Sequence, residues 1–302
     1  MKRFFALSRT SHGILDLAVP AFCALLWLGN FPQLPVILLS LFTAFAGYTA
    51  VYALNDLVGV KVDKEKFAGS GINPGYSVET SEQRYPLAQN LISFKGGLFW
   101  MGTWFILALA GSYLLNPVIV FILLAAAVLE IIYCLLLKVT YLRTLVSGVV
   151  KTSGPIAAVF VVDPNPSPYF LLLLFIWLFL WEIGGQNIPA DWNDTVEDKR
   201  VNAKTIPISF GVEKAGLIVI TAMALTVIAS GFLPLISPAN LGLPYILVSL
   251  IIGYVFLIQP GFQLYKYKEG RQAANLFDKA SYYPVAQLVL ITIFLIASKF
   301  IG

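Results

Sequence analysis

Nine apolar stretches punctuate the chain, and each approaches the roughly 17–25 residues that a helix needs to cross a hydrocarbon core. They lie near residues 13–30, 35–54, 91–115, 117–137, 143–162, 167–187, 214–235, 243–262 and 282–300. The polar connections between them alternate in charge. Lys2, Arg3 and Arg9 precede the first stretch, and Lys61, Lys64, Lys66 and Arg84 separate the second from the third. Lys138 and Arg143 lie between the fourth and fifth, and Lys199, Arg200, Lys204 and Lys214 between the sixth and the body of the seventh. Lys266, Lys268, Arg271 and Lys279 separate the eighth from the ninth. The intervening connections, 29–33, 116, 163–166 and 237–242, hold no Lys or Arg. Because basic loops are retained on the cytoplasmic side, the pattern predicts a cytoplasmic amino terminus and a carboxyl terminus outside. The expected fold is all-α: a multi-pass protein of the cell (inner) membrane, with nine transmembrane helices bundled around a central cavity open on the cytoplasmic side. A single domain spans 1–302, with 57–90 and 188–213 as cytoplasmic cap loops.

Composition agrees with this reading. Of 302 residues 58% are hydrophobic and 12% charged, about half the charged share of soluble domains. Cys23 and Cys134 both sit in apolar runs and cannot make a disulfide framework. The single histidine, His12, argues against an imidazole metal site or a His-dependent triad. The basic start runs straight into the first apolar stretch without a small-residue cleavage pattern, as a first span does and a signal peptide does not. The net charge of +4 is modest, and no nucleic-acid partner is expected.

Two acidic clusters carry the chemistry. The first is Asn55-Asp56-x6-Asp63, after the second stretch; the second is Asn187-x3-Asp191-x2-Asp194-x3-Asp198, after the sixth. Both stretches run from outside to inside, so both clusters emerge on one face. From Asn55 to Asn187 is 132 residues and four helices, the spacing of a duplicated four-helix unit. Asp56 and Asp63 share a helical face, with Tyr52 and Tyr48 on nearly the same stripe, and Asp191, Asp194 and Asp198 repeat the i, i+3, i+7 pattern. Pro189 interrupts the sixth helix and suits the first residue of a fresh turn. So many carboxylates repel one another unless cations neutralise them. Mg²⁺ is the natural candidate, since it is shared between one or two carboxylates and substrate phosphates. Lys61, Lys64, Lys66, Lys138, Arg143, Lys199, Arg200 and Lys204 occupy the same loops and suit a diphosphate, while the apolar, aromatic-rich interior suits a hydrocarbon tail.

Away from the span edges the charged residues are Asp16, Lys95, Glu130, Lys151 and Glu182, all toward the cytoplasmic half, Lys151 only narrowly, and the outer halves have only Asp163 and Lys299 at their edges. A charge at mid-bilayer costs about 2.5–3.5 kcal/mol, so such groups face a cavity or each other. Their one-sided distribution predicts a cup rather than a passage. Two readings of Lys151 stand side by side: a pair with Glu130 across helices, and a substrate role. Tyr48 and Tyr52 are either packing or cation-stabilising rings, and the six tryptophans suit interfacial anchors.

Together these residues resemble the UbiA superfamily of intramembrane prenyltransferases. That family carries N-D-x-x-D-x-x-x-D after helix two and D-x-x-x-D after helix six. The first motif here reads Asn55-Asp56-Leu57-Val58-Gly59-Val60-Lys61-Val62-Asp63, and the second Asp194-Thr195-Val196-Glu197-Asp198, followed by Lys199-Arg200-x3-Lys204-Thr205. Arg9-Thr10-Ser11-His12 is similar to the Arg-containing start of the family's first helix, and Tyr133-x4-Lys138 is a weaker match. The chain departs from the pattern at Gly59, where the family has its middle aspartate; Asp191 offers a compensating carboxylate.

The resemblance implies transfer of an isoprenyl group from an allylic prenyl diphosphate donor to a lipophilic or aromatic acceptor, by ionisation of the diphosphate. It implies two Mg²⁺ ions on Asn55, Asp56 and Asp63 on one side and Asp191, Asp194 and Asp198 on the other. Asp56, Asp63, Asp194 and Asp198 are the expected catalytic set. Substrate contacts are expected from Arg9, Tyr48, Tyr52, Asn55, Lys61, Tyr133, Lys138, Arg143, Lys151, Asn187, Asp191, Lys199, Arg200 and Lys204. The lipid bilayer is the expected surroundings, and residues 57–90, with Gly69, Gly71, Pro74 and Gly75, an expected lid. Two alternatives stand beside this one: a transporter with an acidic cation site, and a non-catalytic prenyl-diphosphate-binding relative. A phospholipid-type phosphotransferase would carry a D-G-x2-A-R string, which is absent.

Overall fold

Inside hydrocarbon every backbone N–H and C=O must find a partner within its own segment, so each apolar stretch is driven into a helix. A computed structural model, which describes residues 1–68, 78, 84–239 and 241–301, bears this out for all nine. The helices are α1 (Thr10–Leu28), α2 (Leu34–Phe67), α3 (Phe94–Leu115), α4 (Pro117–Lys138), α5 (Arg143–Val162), α6 (Pro168–Asn193), α7 (Ile206–Ile236), α8 (Gly242–Tyr267) and α9 (Gly270–Phe300). No strand occurs among the described residues. The chain is an all-helical, multi-pass membrane protein.

Several helices outrun their apolar limits, because a helix does not stop where hydrophobicity does. α2 continues through the first acidic motif to Phe67, and α6 to Asn193, followed by a short helix Thr195–Arg200. Residues 57–67 of the first expected cap segment and most of the second are therefore helical, whereas 84–90 form bends and turns. The expected lid residues 69–77 and 79–83, including Gly69, Gly71, Pro74 and Gly75, lie outside the described residues.

Proline shapes α6 and α8 in the same way. A π-helical turn, Glu182–Asn187, immediately precedes Pro189, and another, Tyr254–Ile258, precedes Pro260. Proline has no N–H and crowds the carbonyl four residues back; a wider turn relieves both problems. Instead of the fresh start expected at Pro189, α6 runs on through a local bulge.

α1 packs against α5 and α9, α2 against α3 and α4, α4 against α5, and α6 against α5 and α7, so that α9 closes the bundle onto α1. Small residues permit close approach, as in other membrane bundles. A Cβ added at Gly148 would lie 2.5 Å from the Phe179 ring, and one at Gly184 would lie 2.7 Å from Ala222 Cβ. Trp27, Trp177, Trp181 and Trp192 are buried, so four of the six tryptophans fill the core rather than anchor the interface. Their indole N–H groups cannot go unsatisfied there: Trp181 donates to Ala280 O (3.0 Å), Trp177 to Tyr283 Oη (3.3 Å) and Trp27 to Asp163 Oδ2 (2.9 Å). The helices enclose a cavity of about 630 Å³, lined from α1 through α6 and from α9. α7 and α8 contribute no described lining residue and pack outside it.

Candidate functional site

The polar extension of α2 builds the first rim. Asp56 and Asp63 are both buried on one face of that helix. Gly59 lies between them, and a Cβ added there would come within 3.0 Å of Asp63 Oδ2. The Asp63 carboxylate thus leans over the position where the family's middle aspartate would start. Lys66, three residues farther on, crosses to the second rim and meets Asp198 Oδ1 at 2.7 Å. Arg84 approaches both oxygens of Asp194, at 3.4 and 3.0 Å. Asp63 is near enough to Asp194 to be repelled by it, and is drawn by Lys66, Arg9 and Arg84. Arg200 donates to the Lys66 carbonyl at 3.0 Å and ties the second rim to the end of α2. Two motifs separated by four helices therefore form one cluster.

On the other flank, Arg9 joins the amino-terminal helix Lys2–Leu7 to α1 with a left-handed φ of 44°. Its guanidinium reaches Asp56 Oδ1 at 3.4 Å and lies 5.8 Å from the centre of the Tyr52 ring. Burial pushes the Asp198 carboxyl above the usual carboxylate range, with Lys66 pulling the other way.

The rims suit a divalent ion of limited kind. The donors are all oxygens, as hard cations require, but among the described residues no three Asp, Glu, His or Cys side chains gather closely enough to enclose a metal. Asp56, Asp194 and Asp198 each have a basic partner. An ion taking one or two carboxylates, with phosphate oxygens and water completing its shell, fits this arrangement; Mg²⁺ binds in that way.

Other expected residues are dispersed. Asp191 is engaged through both oxygens by Arg143, at 2.9 and 3.2 Å. Arg143 in turn stacks 4.0 Å from the centre of the Tyr133 ring, and Tyr133 Oη accepts from Asn187 at 2.9 Å. This chain braces α4, α5 and α6 beneath the rims and leaves Asn187 Oδ1, in the cavity wall, without a hydrogen-bond partner. Lys138 pairs with Glu65 at the surface. Lys61, Lys199 and Lys204 are exposed and outside the cavity wall; the Lys204 backbone instead docks on Leu137 O at 2.7 Å.

Below the rims the cavity has a charged waist and an uncharged, largely apolar far end. Lys151 meets Asp16 Oδ2 at 2.7 Å and Tyr52 Oη at 2.9 Å; Tyr52 donates to the same Asp16 oxygen, and His12 Nε2 lies 3.6 Å from the other. The Lys151–Glu130 pair anticipated from sequence does not form. α1 packs on α5 and presents Asp16 to Lys151, while Glu130 accepts from Asn55. Tyr48 and Tyr52 both line the cavity, with Ser147, Glu182 and Gln186. Lys95 stands exposed at the first turn of α3. The far end is walled by Phe31, Pro32, Val36, Ile37, Ile119 and Val161, with Ser40, Thr43 and Ser112 as its polar side chains.

Sequence reasoning counted Lys66 only among the loop cations suited to a diphosphate, and did not single out Arg84 or Ser147. Lys66 had a usable signal, one turn past Asp63 on the same helical face. Arg84 and Ser147 had none, since their partners are remote in the chain.

The family model of the UbiA prenyltransferase family matches residues 17–291. No curated protein sequence matches. Solved structures do: an apo UbiA homologue from Aeropyrum pernix K1 shares 18% identity at a TM-score of 0.74, over 96% of this chain and 99% of that one. A UbiA homologue from Archaeoglobus fulgidus bound to DMAPP and Mg²⁺ shares 16% identity at a TM-score of 0.70, over 96% and 99%. A digeranylgeranylglyceryl phosphate synthase shares 19% at a TM-score of 0.69, over 98% of each chain. With the family model spanning residues 17–291, and two acidic rims joined beside a cavity within the helix bundle, the chain belongs to the UbiA prenyltransferase family.

Proposed function

We propose that the protein is an Mg²⁺-dependent prenyltransferase that moves an isoprenyl group from an allylic prenyl diphosphate to a lipophilic or aromatic acceptor. The observation that carries this reading is the junction of the two rims, Lys66 to Asp198 and Arg84 to Asp194, next to a cavity that Arg9, Asn55 and Asn187 line on that side and whose far end holds no charged side chain among its described residues. A diphosphate fits the charged end and a hydrocarbon chain fits the rest; the Archaeoglobus homologue, bound to DMAPP and Mg²⁺, supports the same division.

Asp56, Asp63, Asp194 and Asp198 would hold the metal, with Asn55 adding a neutral oxygen. When bound, Mg²⁺ neutralises diphosphate oxygens and so favours departure of the leaving group. Lys66, Arg84 and Arg9 stand where they can exchange a carboxylate for a phosphate oxygen and steady the charge that develops there. The faces of Tyr48 and Tyr52, in the wall beneath, suit an allylic cation. The surrounding apolar wall excludes water, which would otherwise capture that cation. We place the charged end on the cytoplasmic side, following the distribution of basic loops.

The transporter alternative requires charged groups through the full depth, whereas the far wall carries none among its described residues and only Ser40, Thr43 and Ser112 as polar side chains. Gly59 favours the non-catalytic alternative, and diphosphate release separates it from the enzyme. In the deciding experiment, Asp56→Ala and Asp198→Ala are assayed for Mg²⁺-dependent diphosphate release from labelled donors, with folding followed by size exclusion in detergent. Both variants should elute as folded protein and be inactive, Asp198→Ala with a lowered melting temperature because the buried Lys66 loses its partner; full activity in either refutes the site.

A further inference from the structure

We propose that Glu182 is the general base for a neutral, hydroxyl-bearing acceptor, a phenol or an alcohol, held at the waist of the cavity. The inference deepens the prenyl-transfer reading and rests on it. Glu182 is 6% exposed. Its Oε1 accepts from Ser147 Oγ at 2.7 Å, while its Oε2 has no hydrogen-bond partner, and both residues line the cavity. A buried carboxylate oxygen with no donor is costly unless a ligand supplies one.

The position of Glu182 is also specifically built. It opens the π-helical turn Glu182–Asn187, a feature that recurs at functional sites. Gly184 and Gly185 follow directly, and a Cβ on either would press within 2.9 Å of Ala222 or Ala280. The turn is thereby seated on α7 and α9 and aims Glu182, Gln186 and Asn187 at the cavity.

Charge at the waist selects against an anionic acceptor. Lys151 is held by Asp16 and Tyr52, Arg143 by Asp191, and Arg9 reaches Asp56. The titratable groups that Glu182 senses are Lys151 on α5, Asp16 on α1 and Glu130 on α4, with Tyr52 on α2. An acceptor carboxylate placed there would meet Glu182 and Glu130 while the nearby cations are engaged. A hydroxyl instead supplies the donor that Oε2 lacks. In the transfer step the bond from the donor's first carbon to the diphosphate oxygen breaks, with the electron pair leaving on diphosphate. The acceptor oxygen bonds to that carbon, and its proton passes to Glu182 Oε2.

The test uses the full chain in detergent with Mg²⁺ and a prenyl diphosphate, offering 4-propylphenol, 1-decanol or 4-hydroxybenzoate, and reading product mass and diphosphate release. Wild type should favour a neutral hydroxyl over 4-hydroxybenzoate by at least about tenfold in kcat/KM. Glu182→Gln, which preserves size and the oxygen facing Ser147, should lower kcat by about 10²–10⁴-fold, leave the donor KM unchanged and remove the acidic limb of the pH–rate profile. Glu182→Asp should recover part of the rate. A preference for 4-hydroxybenzoate, or diphosphate release without product on either neutral acceptor, defeats this proposal alone. So does a Glu182→Gln variant with wild-type kcat and pH profile. If Glu182→Gln does not fold, the wild-type ranking decides. Absence of any diphosphate release in wild type defeats the prenyl-transfer reading, and this proposal with it.

Discussion

Replacing Gly47 with Phe should convert the protein into a short-donor enzyme without unfolding it. Gly47 lines the cavity on α2, and a Cβ added there meets nothing within 4 Å. It precedes Asn55 by eight residues, about 12 Å along the helix at 1.5 Å per residue. The cavity continues past it to Val36, about 28 Å from Asn55 on the same measure. A phenyl ring at position 47 therefore plugs the cavity partway down. A donor short enough to end above the plug is unaffected, and a longer one must withdraw its tail. Each buried methylene contributes about 0.8 kcal/mol, so a displaced five-carbon isoprene unit costs up to about 4 kcal/mol, or roughly a thousandfold in kcat/KM. The helix itself tolerates the change, because Gly is about 0.5 kcal/mol worse than Phe in a helix interior. The assay compares kcat/KM by diphosphate release for donors of increasing isoprene number, with melting in detergent as the folding control. The expected profile is near wild type for the shortest donor and falls steeply once the tail reaches Gly47. Equal slowing of all lengths, or no change for the longest, refutes the placement of the chain along α2.

Other consequences follow from single contacts. Lys66→Gln strips the ion-pair partner from Asp198, whose side chain is 2% exposed; loss of one partner of a buried pair costs about 3–5 kcal/mol, so detergent melting should fall sharply, and by less with Mg²⁺ present. Arg84→Gln frees Asp194 but removes a cation from the diphosphate end, and should raise the donor KM more than it lowers kcat, as steady-state kinetics would show. Gly148→Ala forces a methyl to 2.5 Å from the Phe179 ring and should destabilise by about 1–3 kcal/mol through overpacking, read as a lower melting temperature. Chelation of divalent ions should abolish diphosphate release, and Mg²⁺ should restore it.

The sequence by itself determined nine helices, because apolar length is a local property and hydrocarbon forces each such stretch to satisfy its own backbone. It also determined the two acidic motifs, since Asp56 and Asp63, or Asp194 and Asp198, share a face through spacing within one segment. Even the bulge in α6 had a local mark in Pro189. What only the tertiary structure decided is which charge meets which. Lys66 could be read as one of many basic residues until α2 was laid beside the helix Thr195–Arg200, and Lys151 was open to Glu130 until α1 brought Asp16 to it. The tryptophans followed the same rule, with Trp177 and Trp181 drawn inside by partners about 100 residues away. Spacing along a helix fixes which side chains point the same way, but pairing across a bundle depends on the rotation and offset of helices that the polar pattern does not specify. Ion pairs in a dry interior are therefore settled last, by packing.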